Sequence, residues 1–235
     1  MKLLAPVLTR IPYADALDLQ RAVAKARIDG RIAEDVLLLV EHPPVVTLGR
    51  TAKAAHLTAP AELLAARGVE RFEVERGGDV TFHGPGQLVG YPIIDLKRHK
   101  RDLHWYLRQV EEALIRILDE YDVPGERSTG YTGVWTRGRK IASIGVHARD
   151  WVTWHGFALN VTTDLSYFDL IVPCGIQDVV MTSIARETER TVSLSDVALS
   201  AERAFGEVFG LTVERVTMPE LVEQSGVAPA LVPHQ

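Results

Sequence analysis

The sequence predicts an α/β (α+β) fold, a single domain with a mixed β-sheet flanked by helices. Three observations carry this. Val36 to Val40 is an unbroken apolar run, as in a strand buried on both faces. Strand-like segments cluster in the middle of the chain, with helical patterns before, between and after them. The strict β–α–β alternation of a doubly wound nucleotide-binding fold is absent.

The elements follow in order. Ala16, Leu19, Val23 and Ala26 have helical spacing, so a helix is expected from Tyr13 to Ile28, closed by Gly30. His42-Pro43-Pro44 breaks the chain after the first strand, and Val45 to Leu48 forms another. Thr58 can cap a short helix with Pro60 in its first turn and Gly68 just past its end. Val69 to Val74 alternates at strand period, and Leu88 to Ile94 is the next strand after a stretch crowded with glycine and proline. Asp102 opens the longest helix, to about Tyr121, with Leu103, Leu107, Val110, Leu114, Ile117 and Leu118 in one stripe. Tyr131–Trp135, Lys140–Val146 and about Val152–Val161 read as strands. A loop at Val172–Ile176 and an apolar segment at Val179–Ile184 follow. Ser193 or Ser195 caps a last long helix ending near Gly210, and the Pro/Ala-rich tail at 226–235 is expected to fray.

Composition excludes several classes. A chain of 235 residues is long enough to bury a sizeable core. With 46% hydrophobic and 24% charged residues, most of it cannot be disordered. A net charge of −5 argues against nucleic acid or an anionic membrane as the main partner. One cysteine excludes an intrachain disulfide and points to a reducing compartment. No apolar run reaches the ~20 residues of a membrane span, and MKLLAPVLTR is too short for a signal-peptide core. The expectation is a cytoplasmic protein.

Several segments carry chemical potential. Arg76-Gly77-Gly78-Asp79-Val80-Thr81-Phe82-His83-Gly84-Pro85-Gly86-Gln87 is either a tight turn or a backbone cradle for a ligand. It lacks the lysine and spacing of a phosphate-binding P-loop. Cys174 lies between Pro173 and Gly175, on a turn rather than inside an element. It is either a small buried hydrophobe or a nucleophile that needs a neighbouring cation to be a thiolate. Lys140 enters an apolar strand, as a surface lysine or as a partly desolvated group that exchanges protons. The eight histidines show no metal-ligand spacing, so no metal is expected. The basic run Lys97-Arg98-His99-Lys100-Arg101 is either a solvated loop or a docking patch for an acidic partner.

Together these segments resemble the octanoyltransferase family, also called lipoyl(octanoyl) transferase or lipoate–protein ligase B. The matching strings are Arg76-Gly77-Gly78 through Thr81, His83-Gly84-Pro85-Gly86-Gln87, Tyr91-Pro92-Ile93 and Gly133-Val134-Trp135. They continue with Lys140-Ile141-Ala142, His155-Gly156 with Ala158-Leu159-Asn160-Val161, Asp164-Leu165 and Pro173-Cys174-Gly175-Ile176. In the family's order they are specific; any one alone is weak. The resemblance implies a biotin/lipoate ligase-like domain and no cofactor. It implies transfer of an octanoyl group from octanoyl-acyl carrier protein to one lysine of a lipoyl domain of a 2-oxoacid dehydrogenase or of the glycine cleavage H protein. Cys174 would carry the acyl group as a thioester and Lys140 would assist. Arg76, Gly77, Gly78, Asp79, Val80, Thr81, Phe82 and His83, then Ser143, Ile144 and Gly145, then Gly156, Phe157 and Ala158 match the segments lining the family's acyl site. Phe82, Ile144 and Phe157 are equally packing residues by type. His147 stands where relatives often carry arginine, a change that bears on carrier contacts and not on the chemistry.

Three rival readings stay open on the residues alone: an ATP-dependent ligase on the same fold, a noncatalytic lipoyl-domain binder, and a cysteine hydrolase with His83 or His155 as its base.

Overall fold

The computed structural model describes residues 1–7 and 9–225, and among these the chain builds two sheets. The larger sheet runs, in spatial order, β11 (Thr212–Val216), β1 (Lys2–Pro6), β3 (Asp35–Glu41), β7 (Gln87–Ile93), β10 (Val152–Asn160), β9 (Arg139–Arg149) and β8 (Gly133–Thr136), with β2 (Thr9–Arg10) beside β3. The β11–β1–β3 end pairs parallel, and the rest, from β3 to β8, pairs antiparallel, so the sheet is mixed. The smaller sheet is β5 (Glu70–Glu73), β4 (Val45–Leu48) and β6 (Val80–His83).

Helices cover both faces of the larger sheet. On one side α3 (Leu103–Asp119) and α5 (Leu194–Phe209) bring Val110, Leu114, Ile117, Ala201 and Phe205 against Leu37, Leu39, Leu88, Phe157 and Leu159. On the other, α1 (Tyr13–Ile28) and α6 (Met218–Ser225) bring Ala16, Leu19, Val23 and Leu221 against Val36, Leu38, Val40, Val89 and Ala158. Successive residues of β3 thus enter opposite cores, which is why its sequence is apolar without alternation. Asp102 accepts the Trp105 N–H at 3.0 Å to start α3, and Ser193 accepts that of Asp196 at 3.3 Å to start α5. Gly210, at φ +64°, closes α5.

Departures from expectation have local causes. The short helix α2 (Ala61–Ala66) starts after Pro60, and the Thr58 hydroxyl instead donates to the Asp169 carbonyl at 3.4 Å. Leu103 overhangs the first turn of α3 and is 40% exposed, outside the buried stripe. Residues 131 and 132 precede β8, which begins at Gly133. Val179–Ile184 forms no strand; Met181 makes a single bridge to Lys140, and Ile184 opens the one-turn helix α4 (Ile184–Thr188). The strands β1, β2, β6 and β11 and the helices α4 and α6 lie outside the sequence expectation. The basic run is engaged locally: His99 meets Asp35 at 2.8 Å, Lys97 meets Asp95 at 3.7 Å, Lys100 meets Asp102 at 3.1 Å, and Arg98 donates to the Ala33 carbonyl. His99 and Arg98 tie it to the start of β3 and the segment leading into it, while Lys97, Arg98, Lys100 and Arg101 stay exposed. The tail at 226–235 lies outside the described residues. Among the described residues no helix is long and apolar enough to cross a membrane.

Candidate active site

A one-turn 3₁₀ segment, Pro173–Gly175, carries Cys174 at φ +57°. A side chain with a Cβ rarely adopts that left-handed conformation, and it persists only where surrounding contacts dictate it. Those contacts are specific. Val172 N–H donates to the His56 carbonyl at 2.7 Å, Gly175 N–H to the Val172 carbonyl at 3.0 Å, and Ile176 N–H to the Pro173 carbonyl at 3.1 Å. Gly175, at φ +67°, lets the turn press on the glycine-rich loop, because a Cβ there would lie 2.7 Å from Asp79 Oδ2.

Lys140 reaches this turn from β9. Its Nζ donates to Cys174 Sγ at 3.2 Å, and Sγ lies 3.7 Å from Ser143 Oγ. Lys140 is 1% exposed, and its Nζ stands 4.8 Å from the centre of the Trp135 ring. The backbone makes the meeting possible: Lys140 N–H donates to the Val180 carbonyl at 2.8 Å and Thr182 N–H to the Lys140 carbonyl at 2.9 Å. The segment just after the cysteine turn therefore lies along the start of β9. Buried Glu187 ties the same region together, accepting from Arg139 at 2.8 Å and from Thr182 Oγ1 at 2.5 Å.

The glycine-rich loop forms another wall. Gly77 N–H donates to the Val146 carbonyl of β9 at 2.8 Å. Buried Arg76 donates to the Thr47 carbonyl at 2.7 Å, to Thr47 Oγ1 at 2.9 Å and to the Gly77 carbonyl at 3.0 Å. Burial lowers its pKa, with Tyr13, Cys174 and Asp79 opposing. Asp79 accepts the Val80 N–H at 2.7 Å and the His56 Nδ1–H at 2.6 Å.

These walls enclose a cavity of about 280 Å³, small by the standard of ligand sites. Cys174, Lys140, Arg76, Gly77, Gly78, Asp79, Thr81, His83, Ser143, Ile144, Gly145, Gly156, Phe157 and Ala158 all line it. Val80 and Phe82 do not. They alternate with Thr81 and His83 along β6 and face the opposite side, where Phe82 stacks on Tyr167 with ring centres 4.7 Å apart. Sequence reasoning missed Tyr13, Val89, Leu107 and Gly130 on the lining, and His56 beside it. Tyr13, Val89 and Leu107 belong to elements whose periodicity reports packing and not a cavity wall. Ile144, Val89, Leu107 and Phe157 supply an apolar surface. The Phe157 ring fits because Gly90 lies beneath it: a Cβ there would be 2.2 Å from the ring.

The histidines of the cavity stand apart from the sulfur. His83 bonds Gln87 Oε1 at 2.9 Å, and burial with the nearby His42 pushes its pKa down to about 3. His155 has φ +55° within β10, and its N–H donates to the buried Gln20 Oε1 at 3.0 Å. Burial lowers its pKa, against the pull of Glu75 3.6 Å away. The sulfur's hydrogen-bond partners are Lys140 and Ser143, not a histidine. His147 Nδ1 bonds the Glu75 carbonyl at 3.1 Å and its ring packs on Trp154. Among the described residues no three His, Cys, Asp or Glu side chains converge as a metal would require. The arrangement brings a thiol and an amine within hydrogen-bond reach of each other, with an apolar hollow beside them.

Comparison with known proteins gives the class. A family model described as lipoyl protein ligase A/B catalytic domain matches residues 12–206. The fold also resembles a lipoate-protein ligase A bound with ATP, at TM-score 0.77 and 16% identity, over 96% of this chain and 92% of that one. A biotin protein ligase from Aquifex aeolicus with biotin and ATP aligns at TM-score 0.51 and 13% identity, over 89% and 70%. These likenesses establish the biotin/lipoate ligase-like fold. An octanoyltransferase of Acidobacterium capsulatum is 53% identical over 218 residues, 86% of this chain and 88% of the relative. One from Rubrobacter xylanophilus is 53% identical over 201 residues, 85% and 90%. The chain belongs to the octanoyltransferase family and is an acyltransferase.

Proposed function

We propose that this enzyme moves an octanoyl group from octanoyl-acyl carrier protein to one lysine of a lipoyl domain of a 2-oxoacid dehydrogenase or of the glycine cleavage H protein. The transfer passes through a Cys174 thioester in the cytoplasm, as a first step in lipoate attachment. The observation that carries the reading is the 3.2 Å contact between Lys140 Nζ and Cys174 Sγ at the wall of a partly apolar cavity.

The donor is a thioester, so exchange onto a cysteine is nearly balanced in energy and needs no nucleotide. Cys174 attacks the donor carbonyl as a thiolate, with Lys140 holding the proton. The carbon–sulfur bond to the carrier breaks, and the departing thiolate takes that proton. The acceptor amine then attacks the octanoyl-cysteine and releases the sulfur. The N–H groups of Gly175 and Gly77 are already spent on carbonyls, whereas that of Gly78 bonds no group among the described residues, which makes Gly78 the better candidate to steady the oxyanion. The apolar wall selects chain length, since each buried methylene is worth about 0.8 kcal/mol.

Intact mass spectrometry tests this. Incubation with octanoyl-acyl carrier protein should add one octanoyl group (~126 Da), which adding a lipoyl domain should discharge. The adduct should be absent from Cys174→Ala. ATP-dependent transfer that survives Cys174→Ala would favour a ligase, and release of free octanoate a hydrolase.

A further inference from the structure

A proton count over this cycle leaves one proton unplaced. In the proposed cycle the Cys174 thiolate attacks while Lys140 holds the one proton the two groups share. The departing carrier thiolate removes it, so the loaded enzyme has a neutral Lys140 amine. The acceptor lysine arrives as an ammonium, because a free lysine titrates at about 10.4. Becoming an amide costs it two protons. Lys140 takes one, and release of the sulfur restores the resting pair. The second proton has no place on that pair.

We propose that His56, oriented by Asp79, is the second proton acceptor and serves the half-reaction with the acceptor lysine. This rests on the transfer reading above. The His56 Nδ1 lies 2.6 Å from Asp79 Oδ2, while Asp79 Oδ1 accepts the Val80 N–H at 2.7 Å. A carboxylate only accepts, so Nδ1 carries the hydrogen, and in the neutral ring Nε2 is then the nitrogen with the free lone pair. Among the described residues nothing hydrogen-bonds Nε2, and the side chain is 19% exposed. The ring is set against the nucleophile's turn: a Cβ on Gly175 would be 3.0 Å from His56 Cε1. The His56 carbonyl holds the same turn through Val172 N–H. Asp79 lines the cavity that Cys174 and Lys140 line. His83 is buried and bonded to Gln87; His155 Nε2 also lacks a hydrogen-bond partner, but it is buried 3.6 Å from Glu75, and burial weakens its hold on a proton. Asp79 is a positioning residue, fixing which nitrogen of His56 is bare.

Single-turnover measurements on the full chain separate the two halves. Loading is read by mass with octanoyl-acyl carrier protein, and discharge by adding a lipoyl domain to the isolated octanoyl-enzyme. In His56→Gln the amide can still donate to Asp79 but takes no proton. Discharge should fall roughly 100-fold and loading about threefold or less, as expected for loss of one general base. In His56→Ala, added imidazole should restore part of the lost discharge. Equal losses in both halves, or undiminished discharge in His56→Gln, would overturn the role of His56 while leaving transfer through Cys174 intact. Failure of the wild type to acquire the octanoyl group would overturn the transfer reading and this inference with it.

Discussion

Replacing Lys140 with methionine should leave stability within about 2 kcal/mol of the wild type while destroying activity. Methionine keeps much of the apolar stem without the Nζ. Among the described residues no carboxylate pairs with Lys140; its contacts are Cys174 Sγ at 3.2 Å and the Trp135 ring at 4.8 Å. At 1% exposure its Nζ is shut off from water. Replacing buried ionic groups by apolar residues of similar volume is neutral or stabilising by about 1–4 kcal/mol. The lost ring contact is worth about 1 kcal/mol and the lost hydrogen bond about 1 kcal/mol. The net should lie between a loss and a gain of about 2 kcal/mol. Losing the proton-exchanging group should cost about 10²–10⁴ in the rate of Cys174 acylation, or about 3–5 kcal/mol of barrier. Urea unfolding at pH 7 reads the first quantity and single-turnover loading reads the second, with an unchanged urea slope showing that the folded state is comparable. The change should be more favourable in a Cys174→Ala background, where Lys140 Nζ has already lost its sulfur partner. A loss of more than about 2 kcal/mol with loading retained within about tenfold would refute the reasoning, because that is how a purely structural lysine behaves.

Two further outcomes follow from buried groups. Burial pushes His42 down to about 4, partly offset by its bond to the Ile11 carbonyl, and pushes His83 down to about 3. A histidine in the unfolded chain titrates at about 6.5, so stability is complete above that value and is lost as pH falls towards the folded values. By pH 5 each histidine should cost about 2 kcal/mol, roughly 4 kcal/mol together. Urea midpoints at pH 7 and pH 5 measure this; His83→Gln should halve the loss, and equal stability at the two pH values would contradict it. Gly90→Ala would place a methyl 2.2 Å from the Phe157 ring, forcing it off the cavity wall at a cost of about 1–3 kcal/mol. Competition between octanoyl and hexanoyl carriers should then shift towards the shorter chain, and an unaltered preference would show that Phe157 does not shape the acyl site.

The parts of the fold legible in the sequence are those whose burial leaves a periodic trace. Helix α1 shows its spacing, and β3 shows an unbroken run because Leu37 and Leu39 enter one core while Val36, Leu38 and Val40 enter the other. Strand β6 was hidden because Thr81 and His83 are the polar face of a cavity rather than of a solvent surface, and glycines flank it. Strands β1 and β11 pair with each other across nearly the whole chain, Lys2 opposite Thr212, which no local pattern reports. For the site the limit was similar. Cys174 was visible as an oddly placed thiol, but its approach to Lys140 came only from the family resemblance. The contact depends on residues 180 and 182, which pair with Lys140 without strand periodicity of their own. His56 left no signal, since its partner Asp79 is 23 residues away.

The strained turn is where these pieces act on one another. Cys174 is held at φ +57° by His56 behind it, Lys140 beside it and Asp79 against Gly175. A cysteine placed within β9 or β10 would have its backbone fixed by ladder bonds and its sulfur committed to one face of the sheet. Raised on a turn between the two sheets, the same sulfur meets a cavity lined by the glycine-rich loop, β6, β9 and β10 at once. In the proposed cycle two partners must reach one atom in succession. A single proton-exchanging group suffices for the first, whose leaving thiolate carries that proton away, and falls one proton short for the second. On this argument Lys140 serves both halves, and the His56–Asp79 pair is added for the second alone, the emptying of the sulfur.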